Sequence, residues 1–382
     1  MRNEEIPFNR PYLTGHELKY IAKAAASGHK LAGDGPYTKL CHDWLQEKTG
    51  CVSALLTPSC TAALEMAAML TDVGPGDEII MPSFTFVSSA NAFVLRGATP
   101  VFVDIREDTL NIDENLIEEA ITQHTKAIVP VHYAGVACEM NDIMALARKY
   151  NLMVVEDAAQ AIMSAYKTRS LGSIGQMGAF SFHDTKNIMA GECGALLLND
   201  PDLVQRAEII REKGTDRNRF FRGEVDKYTW QEVGSSYLPS DLTAAFLLAQ
   251  MENAEEITSK RMSLWKYYHQ ALFPLESRGL LRRPRIPQGC LHNGHIYYIL
   301  TPPGLDRQHL IEKLKGNGIS ATFHYVPLHN APAGRRLCRT HGDLKNTEEI
   351  AARILRLPLW IGLEHEHQDR VISLLDELLE KT

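Results

Sequence analysis

No stretch of the sequence is apolar for long enough to cross a bilayer. Its first residues, MRNEEIPFNRPYLTG, set charges and prolines where a secretory signal needs continuous hydrophobics. The expectation is a protein made and kept in the cytoplasm. Basic charge is not in excess either: 40 Lys and Arg against 47 Asp and Glu give a formal net charge of -7. Such a chain has no global field for a nucleic-acid backbone or an anionic membrane, so neither is expected as a partner. The 7 cysteines (Cys41, Cys51, Cys60, Cys138, Cys193, Cys290 and Cys338) contain no C-x-x-C pair. A zinc ribbon or redox dithiol is thereby excluded, no metal is expected, and the thiols read as reduced. There is no G-x-G-x-x-G after a strand and no G-x-x-x-x-G-K-[ST], so neither a dinucleotide nor a nucleoside triphosphate has its usual cradle. Internal repeats and low-complexity tracts are absent as well.

What is present is a chain of 382 residues, 45% hydrophobic and 23% charged, long enough for a large core and more than one domain. Short apolar runs (DEIIMPS, TPVFVDI, KAIVPVHY, LMVVEDA, GAFSFHD and GALLLND) alternate with amphipathic segments such as TAALEMAAML, DENLIEEAIT and MNDIMALARKY. That alternation predicts an α/β fold, an open and mostly parallel sheet covered by helices on both faces. After about Asn253 the pattern changes. A long helical stretch, EEITSKRMSLWKYYHQALF, leads through the proline-rich RRPRIPQG to expected strands GHIYYILT and ATFHYVPL around a helical DRQHLIEKLKGNG. Helices NTEEIAARILR and HQDRVISLLDELLEK close a smaller α+β unit. The expected division is residues 1–253, with the N-terminal segment in the large unit, and residues 254–382.

In an open α/β sheet ligands bind at the carboxyl ends of strands, so the residues just past each strand are the candidates for chemistry. In LLTPSCTAALEMA an apolar run stops at Ser59-Cys60-Thr61 and a helix begins at once. Its unpaired N–H groups and dipole suit a phosphate, although a capping Ser59 alone accounts for the same residues. In LMVVEDAAQA the acids Glu156 and Asp157 meet small residues at a strand end, where a carboxylate needs a cationic or N–H partner. A protonated heterocyclic nitrogen would serve, and a helix cap is the alternative. In FSFHDTKN a hydroxyl, Ser181, precedes Lys186. Apolar flanks on both sides can lower the lysine pKa and make its amine a nucleophile, where most loop lysines are simply solvated. In MPSFTFVSSANA one of Phe84 and Phe86 could lie on a planar ring, with core packing the commoner use. A phosphate cradle, an acid for a ring nitrogen, a stacking aromatic and an amine are together what pyridoxal 5'-phosphate requires.

These residues also carry a resemblance. The stretches GDGPYTKLCHDW, TPSCTAALEMA, GPGDEIIMPSFTFVSSANAFVLRGATPVFVDI, TKAIVPVHYAGVACEM, VVEDAAQAIMSAYK, SFHDTKN and HYVPLH, in this order along nearly the whole chain, resemble the DegT/DnrJ/EryC1/StrS sugar aminotransferases. The resemblance implies a fold-type I pyridoxal-phosphate enzyme, at least a homodimer, with active sites at the subunit interface. It implies Lys186 as the Schiff-base lysine and general acid/base, Asp157 on the pyridine nitrogen, and Gln160 near the ring. Cys60, Thr61 and Ser181 are implied at the phosphate and Phe86 on the ring. Within the family the likeness is to the branch that moves an amino group from L-glutamate to dTDP-4-dehydro-6-deoxy-D-glucose. Its product, dTDP-4-amino-4,6-dideoxy-D-galactose, supplies surface polysaccharides such as enterobacterial common antigen.

Many relatives have a G-x-N-x-R segment that reaches the neighbouring cofactor phosphate; here it reads GSSYLPSDL, with Ser236 and Leu238 at those places. Cys193 stands where the family usually has glycine, which would strain the backbone if the position needs a positive φ. A diphosphate needs local cations, for which Arg211, Lys213, Arg217, Arg219 and Arg222 are candidates. His324, Tyr325 and His329 in HYVPLH are expected sugar contacts. The competing readings are a relative acting on a 3-keto or UDP-linked sugar, a 3-dehydratase, which carries histidine in place of the lysine, and a non-catalytic regulatory relative. Lys186 argues against the dehydratase, and Lys186 with Asp157 against the regulatory protein.

Overall fold

The computed structural model describes residues 5–28 and 30–381. The first four residues of MRNEEIPFNRPYLTG, on which the cytoplasmic expectation partly rests, lie outside the described residues. The strands that build the site are β1 (Ser53–Thr57), β2 (Glu78–Pro82), β3 (Thr99–Val103), β4 (Thr125–Ile128), β5 (Met153–Asp157), β6 (Met177–Ser181), β7 (Gly194–Leu198), β8 (Tyr297–Leu300), β9 (Arg339–Thr340) and β10 (Ile354–Leu357). Eight of them form one sheet in the order β1-β7-β6-β5-β4-β2-β3-β9. Every pairing in it is parallel except those of β7, which runs antiparallel to β1 and β6.

The reason for unbroken apolar runs such as GALLL is burial on both faces. In β7, Ala195 and Leu197 pack toward one helix layer and Leu196 and Leu198 toward the other. The first layer includes the helices Pro36–Thr49, Met140–Tyr150 and Asp241–Met251, which contribute Leu45, Ile143 and Leu247. The second includes Cys60–Leu70, Val87–Val94 and Val204–Arg211, with Leu64, Phe93 and Ile210 inward. No helix among the described residues is long and apolar enough to cross a membrane.

The C-terminal part has its own apolar core. Trp265 and Tyr268 of the helix Ala254–Ala271, Tyr297 and Ile299 of β8, Leu314, and Val371 and Leu375 of the helix His365–Glu380 pack together, and Ile6 joins them. Two expectations fail here. ATFHYVPL does not form a strand: only Thr322 bridges to the sheet, at Arg356, and the chain then leaves it toward Pro327, which has no N–H to give. The partner of β8 is instead β10, paired antiparallel. The expected helix NTEEIAARILR stops at Arg353, because Ile354, Leu355 and Leu357 are more completely buried as a strand between the two cores. DENLIEEAIT is likewise shorter in helix than its spacing predicts, a 3-10 turn Glu114–Leu116 followed by one α turn, Ile117–Ala120.

Candidate active site

The carboxyl ends of β1, β5 and β6 open onto a cavity of about 400 Å³ whose far wall comes from the C-terminal part. Lys186, Asp157, Gln160, Ser181, Cys60, Thr61, Phe86, His324 and Tyr325 all line it. These nine expected residues thus share one cavity.

Lys186 sits in the connection between β6 and β7. That loop is pinned by Phe182 N–H donating to the Cys193 carbonyl and Asp184 N–H to that of Gly191, which turns at φ 76°. Phe182 and Ile188 are buried beneath it, and Asn187 ties it to the C-terminal part through the Asn293 carbonyl and His295 Nδ1. Among the described residues no hydrogen bond or ion pair holds the Lys186 amine. Burial lowers its pKa; Cys60 and Asp157 pull the other way, and the charge of Arg356 adds to the lowering. A fixed, unpaired amine with a depressed pKa is what a nucleophilic lysine requires.

The two acids at the end of β5 separate cleanly. Successive strand residues point to opposite faces, so only one can face the cavity. Glu156 is fully buried and accepts N–H groups from Gly172 (2.8 Å), Ile174 (2.6 Å) and Gly175 (2.7 Å), and faces His132 Nε2 at 2.9 Å. His132 Nδ1 accepts from Cys138 N–H, so Nε2 carries the proton and donates to Glu156. Asp157 turns to the cavity with one oxygen held by the Ser89 hydroxyl at 2.6 Å and the other by Ala159 N–H at 3.1 Å. Ser89 in turn contacts Thr85 at 2.7 Å, so a short chain of hydroxyls orients the carboxylate.

At the end of β1 the Ser59 side chain caps the Cys60–Leu70 helix by accepting from Ala62 N–H. The cap and the anion site coexist: Cys60 and Thr61 N–H have no acceptor among the described residues and lie at the positive end of the helix. Gly194 of β7 passes so close that a Cβ there would sit 2.4 Å from Cys60 N, which fixes where the helix begins. Burial raises the Cys60 thiol pKa well above its usual value, with Asp157 adding to the rise, so it stays protonated. Thr61 Oγ1 meets Ser88 Oγ at 2.7 Å across to the next helix. Ser181 lies beside them. Of the two phenylalanines, Phe84 is core, edge-on to Tyr133 and Tyr325, whereas Phe86 is 58% exposed at the cavity. Gln160 is fully engaged, accepting from Ala134 N–H (2.7 Å) and donating to the Tyr325 hydroxyl (3.0 Å).

Other expected residues lie elsewhere. Arg211 is buried at 1% exposure beneath the sheet, its guanidinium donating to the Leu56 carbonyl and to Asp34. It cannot reach a diphosphate in this cavity. Lys213 pairs with Glu212, Arg217 also faces Glu212, Arg219 pairs with Glu224, and Arg222 with Glu208 and Glu224; none lines the cavity. His329 is occupied by Ser83 (2.8 Å) and Glu348 (3.3 Å). Ser236 bridges Glu212 away from this chain's cavity. The anticipated strain at Cys193 is not found: its φ is not positive, and the buried thiol donates to the Thr57 carbonyl. The cavity also contains residues the sequence reading passed over: Phe8, Asn9, Ser88, Arg261, His295 and Arg356. Ser88 and Ser89 were legible in MPSFTFVSSANA as hydroxyls past a strand end; the others come from distant segments.

No group of three or more His, Cys, Asp or Glu among the described residues could hold a metal ion. The donor set instead fits a phosphate-bearing pyridine aldehyde: free N–H groups and hydroxyls for the phosphate, an oriented carboxylate for the ring nitrogen, an exposed aromatic face and an unpaired amine. The fold and this arrangement define a pyridoxal-phosphate enzyme of the aminotransferase class.

The chain matches the DegT/DnrJ/EryC1/StrS aminotransferase family over residues 11–376 and belongs to it. It is 33% identical over 386 residues to the spore coat polysaccharide biosynthesis protein SpsC of Bacillus subtilis, covering 99% of this chain and 98% of that one. Among solved structures it is similar to the aminotransferase TlmJ from Streptoalloteichus hindustanus, with TM-score 0.90, 30% identity, and 99% and 100% of the two chains covered. The putative sugar aminotransferase Spr1654 from Streptococcus pneumoniae, in its PLP-form, matches with TM-score 0.88 and 26% identity over 99% of each chain. The protein is thus a sugar aminotransferase whose cofactor is pyridoxal phosphate, with glutamate and a keto-sugar nucleotide as the substrates its family implies.

Proposed function

We propose that this chain transfers the amino group of L-glutamate to the 4-keto group of dTDP-4-dehydro-6-deoxy-D-glucose, giving dTDP-4-amino-4,6-dideoxy-D-galactose for surface polysaccharide. The observation that carries the catalytic part is Lys186 and Asp157 lining one cavity with the open N–H groups of the Cys60 helix. The choice of sugar rests on the resemblance to that branch of the family, and SpsC, by its name, also serves a polysaccharide.

When bound, the cofactor supplies the carbon that carries the amino group and a ring that accepts the electron pair left by a departing proton. Asp157, held by Ser89 and Ala159, keeps that ring protonated at its nitrogen. Cys60, Thr61 and Ser181 would hold the phosphate, and Phe86 would cover the ring. Gln160, fixed by Ala134 and Tyr325, would sit beside the ring. Lys186 moves the proton at the amino-bearing carbon of each substrate in turn, a task for which its lowered pKa suits it. His324, whose Nδ1 meets the Tyr133 hydroxyl at 3.0 Å, and Tyr325 face the sugar.

The working unit is a homodimer or a larger homo-oligomer. Trp230 is 80% exposed, and Phe221, Tyr228 and Val233 are exposed near it on the segment leading to Ser236. A second copy covers such a surface, and Ser236 then faces the partner's cofactor phosphate. With all seven cysteines free, the protein works in the cytoplasm. The test is NMR analysis of products formed from glutamate and a panel of dTDP- and UDP-linked 3-keto and 4-keto sugars. A 4-amino galacto product from the dTDP substrate is expected; a 3-amino product alone, or none from any dTDP sugar, refutes the assignment.

A further inference from the structure

Among the described residues no carboxylate pairs with the guanidinium of Arg356. It lies on β10, whose other residues, Ile354, Leu355 and Leu357, are buried. Alternation along that strand sends its side chain into the cavity, which it lines together with Phe8. The guanidinium carbon stands 4.7 Å from the Phe8 ring centroid. Among the described residues no carboxylate or carbonyl takes an N–H from this side chain, and its Nε is buried with no hydrogen-bond partner. Burial lowers its pKa, with only the Tyr133 and Tyr325 phenols pulling the other way.

The neighbouring Arg261 is a control within the same cavity. Its Nε donates to the Gly294 carbonyl and its NH2 group to the carbonyls of His295 and Leu359. Arg261 is spent on the backbone; Arg356 is held only by stacking. Arg356 is partly buried with its Nε sealed off and unpartnered; a desolvated polar group without a partner is costly, so a site that keeps one is arranged for a ligand that supplies the partner. The planar fork of arginine matches a carboxylate in a bidentate manner.

We infer that Arg356 is the residue that recognises a carboxylate of the amino donor, and so selects an amino acid over other amines in the first half of the reaction. This rests on the aminotransferase reading above. The other anion that enters the cavity, the nucleotide's diphosphate, is separated from its reacting carbon by the width of a pyranose ring. The carboxylate of an α-amino acid is one carbon from its amine. Arg356 lines the cavity together with Lys186 and Tyr325, and Thr322, three residues before Tyr325, bridges to it, which places it near the reacting carbon and favours the carboxylate.

The test compares wild type with Arg356→Gln and Arg356→Lys as holoenzymes. Calorimetry measures binding of the unreactive dicarboxylate glutarate and, separately, of dTDP. Rapid mixing with L-glutamate follows the cofactor absorbance in a single turnover. Arg356→Gln should weaken glutarate binding and raise half-saturating glutamate on the order of 100-fold, with dTDP affinity unchanged and Arg356→Lys intermediate. Among the described residues Arg356→Gln breaks no protein hydrogen bond and loses only the stacking on Phe8, so the melting temperature should change little. Glutarate binding that survives Arg356→Gln overturns the inference, as does a loss confined to dTDP. Failure of wild type to react with glutamate sinks the functional reading instead, because the glutarate measurement reads Arg356 whichever amine is the donor.

Discussion

Replacing Glu156 and Asp157 one at a time should separate a carboxylate that holds the fold from one that does chemistry, although the two are adjacent in sequence. Glu156→Ala abandons the N–H groups of Gly172, Ile174 and Gly175 and the ring N–H of His132, all in a fully buried site. Each stranded donor costs about 1–3 kcal/mol, and relaxation into the space left recovers part of it, so a loss of about 3–5 kcal/mol is expected. Against total stabilities of about 5–15 kcal/mol this is large. Asp157→Ala frees only the Ser89 hydroxyl, which keeps its Thr85 partner, and the N–H of Ala159, which lines the cavity where water can replace the carboxylate, for about 1 kcal/mol. Urea unfolding of the cofactor-free proteins followed by circular dichroism measures both. Cofactor binding, followed by absorbance, should fail in Asp157→Ala alone among variants still folded. If Asp157→Ala lost more stability than Glu156→Ala, or Glu156→Ala stayed within about 1 kcal/mol of wild type, the division of roles would be wrong.

Phe86→Ala should weaken cofactor binding by about 0.5–1.5 kcal/mol, roughly 3–10-fold, in an equilibrium absorbance titration. Its 58% exposure means that apo stability should move by less than about 0.5 kcal/mol. Lys186→Met should change how apo stability depends on pH. The wild-type lysine has a folded pKa below its usual 10.5, so between the depressed value and 10.5 the unfolded chain binds more protons and stability rises with pH. Urea midpoints across that window should lack this rise in Lys186→Met, which should be the more stable protein below it; identical slopes would contradict a buried amine. Arg211→Gln should cost about 3 kcal/mol in unfolding, since it leaves Asp34 and the Leu56 carbonyl unsatisfied. Half-saturation by the sugar nucleotide should stay within about twofold; a selective rise there would restore Arg211 to the substrate site.

Residues whose role is set by their own strand were legible in the sequence. Asp157, Ser181 and Lys186 follow apolar runs that could only be sheet strands, and the strand-end rule finds them without a structure. The strand pattern alone did not tell Glu156 from Asp157, because the face each takes depends on which helix layer lies above β5; the choice of Asp157 came from the family resemblance. Basic residues were misread for a related reason. A loop rich in arginine looks like an anion site, but Arg211 spends its charge on Asp34, 177 residues away in sequence. The converse failure was Arg356, hidden in NTEEIAARILR, whose helical start concealed the strand. Its significance lies in having no partner, which no local pattern can display.

The two-residue strand β9 has a consequence for motion. It leaves the C-terminal part and lies parallel against β3, where His341 N–H also reaches the Phe102 carbonyl and Arg339 grips Glu78 through two hydrogen bonds of 2.6 and 2.9 Å. It covers what would otherwise be an open sheet edge, and also fastens the far wall of the cavity to the wall that bears Asp157. Were the far wall to move against it, this seam is where the two would stay joined. The His341 amide, bonded to the Phe102 carbonyl, should exchange with deuterium more slowly than the Thr340 amide, which points away from β3 on this edge strand.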